Sequence, residues 1–440
     1  MARTTTVVSS GNRLLPALLA ISLLLPLLLA GTSRAADYSV SSNTYLRYYE
    51  EEFSTGTKNT YAPLYEYLSA DAANLGGTPI AFHFYGWGRV DLSDPSGSTT
   101  GKESGDLGSA YLEYLHPRGN AQMKLGRFFF AEGVAVETLD GAFFKVTTPI
   151  GIGISGYGGS PVESSILDNT SVGDSLYGGR LFFNRFGVTE IGVSYLKEKG
   201  SFGGKDRELY GGDLWLHLFG PVELTAQASY NEATKGMASQ RYTLRVVPGS
   251  RFDFSGGYES YSYKDLFQTT LHPAFATPSI DNTDKVQTIF GIVDWEISPG
   301  LTLELVAKNI QHDNVDTGNA NRGEVGFRYA FNGKKDVFGL SAAAVTADRV
   351  ENEYQEYRGF VTWSPSKLRL TLDALTQQYK KEIDGKKNAV QVVASAGYKV
   401  SSSLALSGDL TYTQSPRYEQ DYAGMVRATL ELGTTTGGKK

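Results

Sequence analysis

The stretch that decides the fold is residues 221–231, PVELTAQASYN, in which apolar and polar residues alternate. Successive side chains of an extended strand point to opposite faces. Val222 and Leu224 therefore share one face, while Glu223 and Thr225 share the other. Alternation with a period of two predicts a β-strand that has one apolar and one polar face.

The same alternation returns along the chain, for example in residues 324–331, 368–374 and 403–413. Between the alternating stretches lie short turns rich in Gly, Pro, Asn and Ser, which supply the dihedral angles of turns. We place these turns at Asn74–Gly77, His116–Asn120, Thr148–Ile150, Asn184–Gly187, Phe219–Pro221, Pro248–Ser250, Ser298–Gly300, Asn332–Lys335, Ser364–Ser366 and Ser401–Ser403. The turns delimit successive hairpins and predict about 22 strands, within a range of about 18 to 22.

The N-terminus has the features of a secretory signal peptide. Arg3 and Arg13 form a positive region before a Leu-rich and Ala-rich run at residues 14–30, and small residues follow at Ser33 and Ala35. A positive region, an apolar run and small residues before the cut are the signals for cleavage. We expect residues 1–35 to be removed. An uncleaved anchor is the alternative, because the apolar run approaches a membrane-spanning length.

The composition excludes several classes of function. The chain has 440 residues, no Cys, and 47 Asp plus Glu against 41 Lys plus Arg. Without Cys there are no disulfides, no zinc–thiolate sites and no haem attached through a C-x-x-C-H box. An acidic exported chain is no candidate for nucleic-acid binding. The five His residues are scattered without metal-ligand spacing, so we expect neither a metal nor a cofactor.

These patterns predict an all-β fold, a transmembrane antiparallel up-and-down β-barrel without a plug domain. We assign residues 36–433 to the barrel and residues 434–440 to a short tail. Backbone N–H and C=O groups in hydrocarbon must all be paired, and strands achieve this in a closed barrel. Short turns at one end and longer loops at the other are typical of bacterial outer-membrane barrels. An exported β-sandwich, propeller or β-helix is the alternative, since it shares the alternation.

The polar face is where we expect the functional residues. Charges of both signs are interspersed there, which favours a hydrophilic and weakly selective pore wall. The predicted pore-lining residues are Arg89, Asp91, Arg180, Glu190, Glu223, Arg245, Arg251, Asp253, Glu304, Lys308, Glu324, Arg328, Arg369 and Asp373. The loop of residues 263–283 is the longest and most apolar, and it contains Phe267, Leu271, His272 and Phe275. We interpret it as a constriction loop folded inward or as an exposed docking loop.

One motif suggests an enzyme. Residues 173–176, GDSL, match the nucleophile motif of an esterase family. A hydrolase also needs a supporting base, and the D-x-x-H motif that would supply it does not occur. An outer-membrane hydrolase is therefore retained as an alternative, and the chain is interpreted as a non-enzyme.

A family resemblance rests on Leu125-Gly126-Arg127, Glu132-Gly133 and Leu139-Asp140-Gly141. This strand-loop-strand pattern resembles that of Gram-negative outer-membrane porins, and the layout of the mature chain is similar to porin-like barrels. The resemblance implies a channel that passes small hydrophilic solutes passively and contacts outer-membrane lipid. It equally allows a barrel similar to the porin component of porin–cytochrome conduits. In that case multihaem cytochromes would be the partners and would carry the redox centres.

The signal-peptide interpretation makes a direct prediction about the mature protein. N-terminal sequencing and intact mass measurement of the protein from outer membranes should give a chain that begins at Ala36, because Ala35 completes the cleavage site. A chain that still contains residues 14–30 would contradict cleavage and favour the anchor.

Overall fold

A computed structural model describes residues 37–52, 58–93, 103–162, 174–185, 187–201, 205–267, 284–314, 317–416 and 418–434. The predicted signal peptide lies outside the described residues. Almost all of the described chain is β-strand. The described residues also contain one short α-helix, α1 (Tyr263–Phe267), and two single-turn 3-10 helices, Leu75–Gly77 and Val350–Asn352. None of these helices is long and apolar enough to cross a membrane.

The strands follow one another along the chain with short connections at one end. Their bounds are β1 Asp37–Glu52, β2 Lys58–Tyr61, β3 Pro63–Ala73, β4 Ile80–Asp91, β5 Glu103–Leu115, β6 Ala121–Glu132, β7 Ala135–Thr147, β8 Ile152–Pro161, β9 Ser175–Arg185, β10 Thr189–Ser201, β11 Lys205–Phe219, β12 Val222–Asn231, β13 Gly236–Val246, β14 Phe252–Ser262, β15 Lys285–Ser298, β16 Leu301–His312, β17 Ala320–Phe331, β18 Asp336–Ala347, β19 Tyr354–Trp363, β20 Leu368–Ile383, β21 Lys386–Lys399, β22 Leu404–Ser415 and β23 Tyr418–Thr434.

The sheet closes on itself as a 22-strand barrel. Each strand pairs antiparallel with the strands before and after it, and β23 returns to pair with β1 from Tyr38↔Thr434 to Tyr49↔Ala423. The segments β2 and β3 are two parts of one barrel strand, since both pair with β1. Ala62 separates them and is followed by Pro63, which has no N–H to donate. The predicted fold class is confirmed.

The two faces of the sheet differ as the alternation predicted. One face, here called the apolar face, carries large exposed hydrophobic side chains, among them Leu410 at 70%, Val426 at 65% and Leu125 at 62% exposure. So many exposed apolar side chains on a closed barrel require an apolar surrounding, which is the lipid of a membrane. The opposite face, here called the polar face, therefore lines the lumen.

Aromatic residues gather on the apolar face near the short turns. Trp295 is 38% exposed and Trp363 is 47% exposed. Trp295 stacks on Phe252 with ring centroids 5.7 Å apart, and Tyr329 stacks on Phe331 at 6.0 Å. Amphipathic rings at this height form the girdle that anchors a barrel at the boundary between lipid and water.

The short turns lie where the sequence predicts them, all at the end of the barrel that also holds residues 37 and 434. The turn of residues 332–335 requires left-handed backbone, with φ of 50° at Asn332 and 68° at Gly333. Asn and Gly adopt this region at low cost, which explains their use in the turn. The opposite end is more variable than predicted, because its connections include two-residue turns at Gly133–Val134 and Asp384–Gly385.

The assignment of faces can be tested on β22. Leu410 lies in the middle of this strand on the apolar face, and Thr411 is its neighbour on the polar face. Leu410→Arg should lower the free energy of unfolding by about 2–4 kcal/mol, because Arg would sit in hydrocarbon near the bilayer midplane. Thr411→Arg is the matched control and should change it little. Denaturant unfolding in lipid vesicles measures both, and equal effects would contradict the assignment.

Candidate functional site in the barrel lumen

The pairing register places the predicted pore-lining residues on the polar face, with the exception of Arg251. For example, Asp253 pairs with Asp294, which pairs with Glu304 on the next strand. Arg251 lies in the turn before β14, where its carbonyl oxygen accepts a hydrogen bond from the Glu296 N–H at 2.7 Å. Shared orientation does not establish an open pore, so their role as a pore lining stays a prediction.

The end of the barrel remote from the short turns is here called the upper end. Asp91 is buried at the upper end of β4 and stabilises the break between β2 and β3. Its Oδ1 accepts hydrogen bonds from the Ala62 N–H at 3.2 Å and from the Ser93 Oγ at 2.6 Å. Its Oδ2 accepts one from the Arg89 Nη2 at 3.2 Å. An aspartate with its oxygens so engaged stabilises local backbone, because it replaces the ladder bonds lost at the break.

Several charges of the wall from β13 to β20 occur as ion pairs. Arg245 pairs with Asp253 on the neighbouring strand. Arg322 donates to Glu324 and to Glu356, both at 2.7 Å. A neutralised pair presents little net field to a passing solute. The sequence interpretation missed Arg322 and Glu356, although each alternates in register with neighbours that it did select.

Arg358 extends this set of wall pairs. It donates from Nε to the Asp373 Oδ1 at 3.0 Å, and it had not been selected from the sequence. Cations gather farther along the wall, around a groove between β20 and β23 that is lined by Lys367, Arg369, Lys399 and Arg427. These cations lie toward the end with the short turns, where Asp409 is the acidic residue of the same groove.

The upper part of the β6–β7 hairpin leaves the wall and folds into the lumen. Its tip, Gly133–Val134, reaches past β8 and β9 to β10. There the Val134 N–H donates to the Ser194 Oγ at 3.1 Å. Glu137 accepts a hydrogen bond from Arg207 of β11 at 2.6 Å. Gly133 has a φ of 61°, and a Cβ there would lie 2.3 Å from Ser194. The close approach therefore requires glycine at the tip.

A buried apolar cluster holds the folded hairpin on the inner surface of the wall. Its members come from β6 to β11 and occupy the polar face of the strands, contrary to the simple alternation. They are Phe128, Phe130, Ala135, Leu139, Phe143, Tyr157, Leu176, Leu196 and Leu209. Residues 128–130, Phe-Phe-Phe, are apolar on both faces of β6. Phe128 and Phe130 are apolar at positions where the alternation would place polar side chains, and this is the sequence signal for the inward fold.

Arg180 anchors the same hairpin electrostatically. It is 7% exposed and donates to the Glu132 Oε1 of the hairpin at 3.1 Å. It also donates to the Glu190 Oε1 at 2.7 Å and to Asp213 on β11. Lys145 adds a second cation, with its Nζ 3.0 Å from the Glu132 Oε2. A buried arginine that serves three carboxylates is stable because each charge is paired and hydrogen-bonded.

The predicted constriction or docking loop falls largely outside the described residues. Phe267 ends α1, while Leu271, His272 and Phe275 are not described. The start of the loop packs on the β12–β13 hairpin, since the Asn231 Nδ2 donates to the Asp265 carbonyl oxygen at 2.7 Å. The role of this loop stays a prediction. Among the described residues, the β6–β7 hairpin enters the lumen, and the sequence analysis did not single it out.

The described part of the chain contains no group of three or more His, Asp and Glu residues arranged to hold a metal ion. Of the GDSL motif, Gly173 is not described, Ser175 begins β9 and pairs with Lys199, and Leu176 is buried in the apolar cluster. The hydrolase alternative stays a prediction.

Comparisons with known proteins give the fold. No family model and no curated protein matches this chain. The siderophore receptor PirA from Pseudomonas aeruginosa is similar over 91% of this chain and 82% of its own, with a TM-score of 0.56 and 12% identity. OccK5 (OpdH) from the same species is similar over 91% of this chain and 99% of its own, with a TM-score of 0.45 and 10% identity.

A third solved structure, OccAB4 from Acinetobacter baumannii, is similar over 92% of this chain and 99% of its own, with a TM-score of 0.44 and 9% identity. The likeness to PirA shows the fold alone, because the identity is low. The chain has the fold of an outer-membrane β-barrel, which is the fold that the resemblance implied.

The anchoring role of Arg180 can be tested by substitution. Arg180→Met should lower the free energy of unfolding by about 3–5 kcal/mol, because three carboxylates lose their shared cation. Amide exchange of residues 131–138 should become faster, since the hairpin loses its anchor. Arg245→Met is the control, because it removes an exposed ion pair of the same wall. Hydrogen exchange with mass spectrometry separates the two, and unchanged exchange in Arg180→Met would contradict the anchor.

Proposed function

We propose that this protein is an outer-membrane channel that gives small hydrophilic solutes passive passage. The observation that carries the proposal is a closed 22-strand barrel with lipid-facing apolar residues outside and ion pairs inside. Barrels of this size enclose a lumen wider than the side chains of the wall fill. The paired charges on the polar face support weak selectivity between solutes.

The folded β6–β7 hairpin is the element proposed to set the width of the passage. It covers the inner surface of β8–β11 and rests on the apolar cluster beneath it. A constriction built from a hairpin that is held at its tip and its edges has a defined shape. Solutes would pass between the hairpin and the facing wall of ion pairs.

Single-channel recording of the purified protein in planar lipid bilayers tests the proposal. Stable open steps without any added partner are the expected result. If the protein gives no steps and purifies with a haem protein, the channel is contradicted and the sheath for a multihaem cytochrome is favoured. Measurement of ester hydrolysis by the same preparation tests the enzyme alternative.

A pair of adjacent glycines gives a sharp test of the constriction. Gly211 lies on the polar face under the hairpin, where a Cβ would be 2.1 Å from the Val134 Cγ1. Gly212 lies on the apolar face, where the nearest atom found for a Cβ is the Gly192 carbonyl oxygen at 3.9 Å. Gly211→Leu should lower the conductance, because the larger side chain pushes the tip away from β11 into the passage, whereas Gly212→Leu should leave the conductance unchanged. Equal conductance of both variants would contradict the role of the hairpin.

A further inference from the structure

The barrel wall is incompletely paired between β5 and β6. The ladder between these strands has six residue pairs, from Leu115↔Gln122 at the short turn to Ala110↔Arg127. Above that point β5 continues to pair with β4, and β6 continues to pair with β7. Among the described strands, residues 107–109 and residues 128–130 have no partner across this gap. We call the gap the β5–β6 seam.

The seam follows from the inward fold of the hairpin. Gly126 precedes the first splayed residues and has a φ of 124°. A Cβ at Gly126 would lie 2.4 Å from the Ala110 carbonyl oxygen, so the two strands approach each other closely just below the seam. Above this glycine β6 turns toward the lumen while β5 stays in the wall. The strands therefore separate at a defined height.

The seam lies at the depth of the hydrocarbon. Its rim on the apolar face carries Leu107 of β5, which is 37% exposed. Below it on the same face lies Leu125, at 62% exposure. Apolar residues above and below mean that lipid chains contact the seam. Separated strand edges at this depth are costly, because hydrocarbon offers no hydrogen bonds to the backbone.

An arginine closes the seam from the lipid side. Arg127 belongs to the apolar face, yet its Nη1 donates across the gap to the Leu107 carbonyl oxygen at 3.0 Å. Its Nε and Nη2 donate to the two carboxylate oxygens of Asp140 at 2.8 and 2.7 Å. It also lies 3.7 Å from the Asp106 Oδ1. An ionised pair facing lipid is expensive and marks a functional site by default.

The inner side of the seam is lined by aromatic rings. Tyr111 and Phe128 meet there with centroids 6.0 Å apart, and the Lys124 Nζ lies 5.3 Å from the Tyr111 ring. Trp87 occupies the polar face of β4 opposite Asp106, one strand from the gap, and is 8% exposed. A hydrocarbon chain that entered from the membrane would meet apolar side chains first on the outer side of the seam and then on its inner side.

We propose that the β5–β6 seam is a lateral opening between lumen and membrane that admits the acyl chain of an amphiphile, with Arg127 as its latch. The opening goes beyond passage along the barrel axis and does not depend on conductance. An acyl chain fits the apolar rim and the aromatic inner side, whereas a hydrated solute is excluded by the hydrocarbon outside. The latch opens when the hydrogen bond from the Arg127 Nη1 to the Leu107 carbonyl oxygen breaks.

Quenching of tryptophan fluorescence by brominated acyl chains tests the opening. The reporter keeps Trp87 and carries Trp215→Phe, Trp295→Phe and Trp363→Phe. The matched reporter has all four tryptophans replaced by Phe and carries Phe290→Trp. Phe290 lies on the polar face at middle depth of β15, where both neighbouring ladders are intact. In vesicles of phospholipid brominated on its acyl chains, Trp87 should be quenched about twofold more than the F290W reporter, since lipid chains reach the seam but not the closed wall.

Further variants and further lipids in the same experiment test the role of Arg127 and identify the source of the acyl chain. Arg127→Gln should increase the quenching of Trp87, while Arg358→Gln, which breaks a bidentate pair on the closed wall, should not. Quenching by brominated phospholipid identifies bilayer lipid as the source. Quenching by brominated fatty acid added to plain vesicles, without an effect of brominated phospholipid, identifies a single-chain amphiphile.

Equal quenching of the two reporters in both lipid systems would overturn the lateral opening. The comparison of Trp87 with the F290W reporter leaves the seam and the latch unaltered, so it holds even if Arg127→Gln fails to fold. Loss of the heat-sensitive migration of the folded barrel in gel electrophoresis identifies such a failure. If Trp87 is quenched but the protein gives no conductance, the proposed channel is contradicted and the proposed lateral opening is retained.

Discussion

The requirement that backbone hydrogen-bonding groups be paired inside a membrane governs this structure. Hydrocarbon offers no partner for an N–H or a C=O, so the strands must form a sheet without edges. The pairing of β23 with β1 meets this requirement and turns a long series of hairpins into one wall. The alternation of faces follows from closure, because each strand then has lipid on one side and the lumen on the other.

The same requirement applies to the β6–β7 hairpin, whose inward fold leaves part of the wall without paired backbone groups. A hairpin that folds inward gains an apolar cluster and the carboxylate network around Arg180. It leaves behind a β5–β6 ladder of six residue pairs, and Arg127 spans the gap with a hydrogen bond to Leu107. One displacement thus narrows the lumen and weakens the wall at one height. The two proposed properties, a constriction and a lateral opening, have this common structural origin.

Periodicity predicted much of the architecture, since turn chemistry and alternation are local properties. The turn at residues 332–335 and the polar-face position of Glu304 were accessible in this way. The hairpin was not, because alternation assigns each residue to a face but does not say whether a strand stays in the wall. Phe128 and Leu139 lie on the polar face yet are buried under a neighbouring element. Asp91 was selected as a charge of the lumen, and its buried role depends on Ala62 and Ser93.

The sequence alone determined the strand periodicity, the approximate strand number, the two faces and the absence of any redox chemistry based on cysteine. These properties depend on neighbours in the chain, whose side chains alternate by geometry. Tertiary structure decided which charges pair, where the wall is incomplete and which hairpin enters the lumen. Those features depend on contacts between distant residues, such as Val134 with Ser194 and Arg180 with Glu132, which no local pattern encodes.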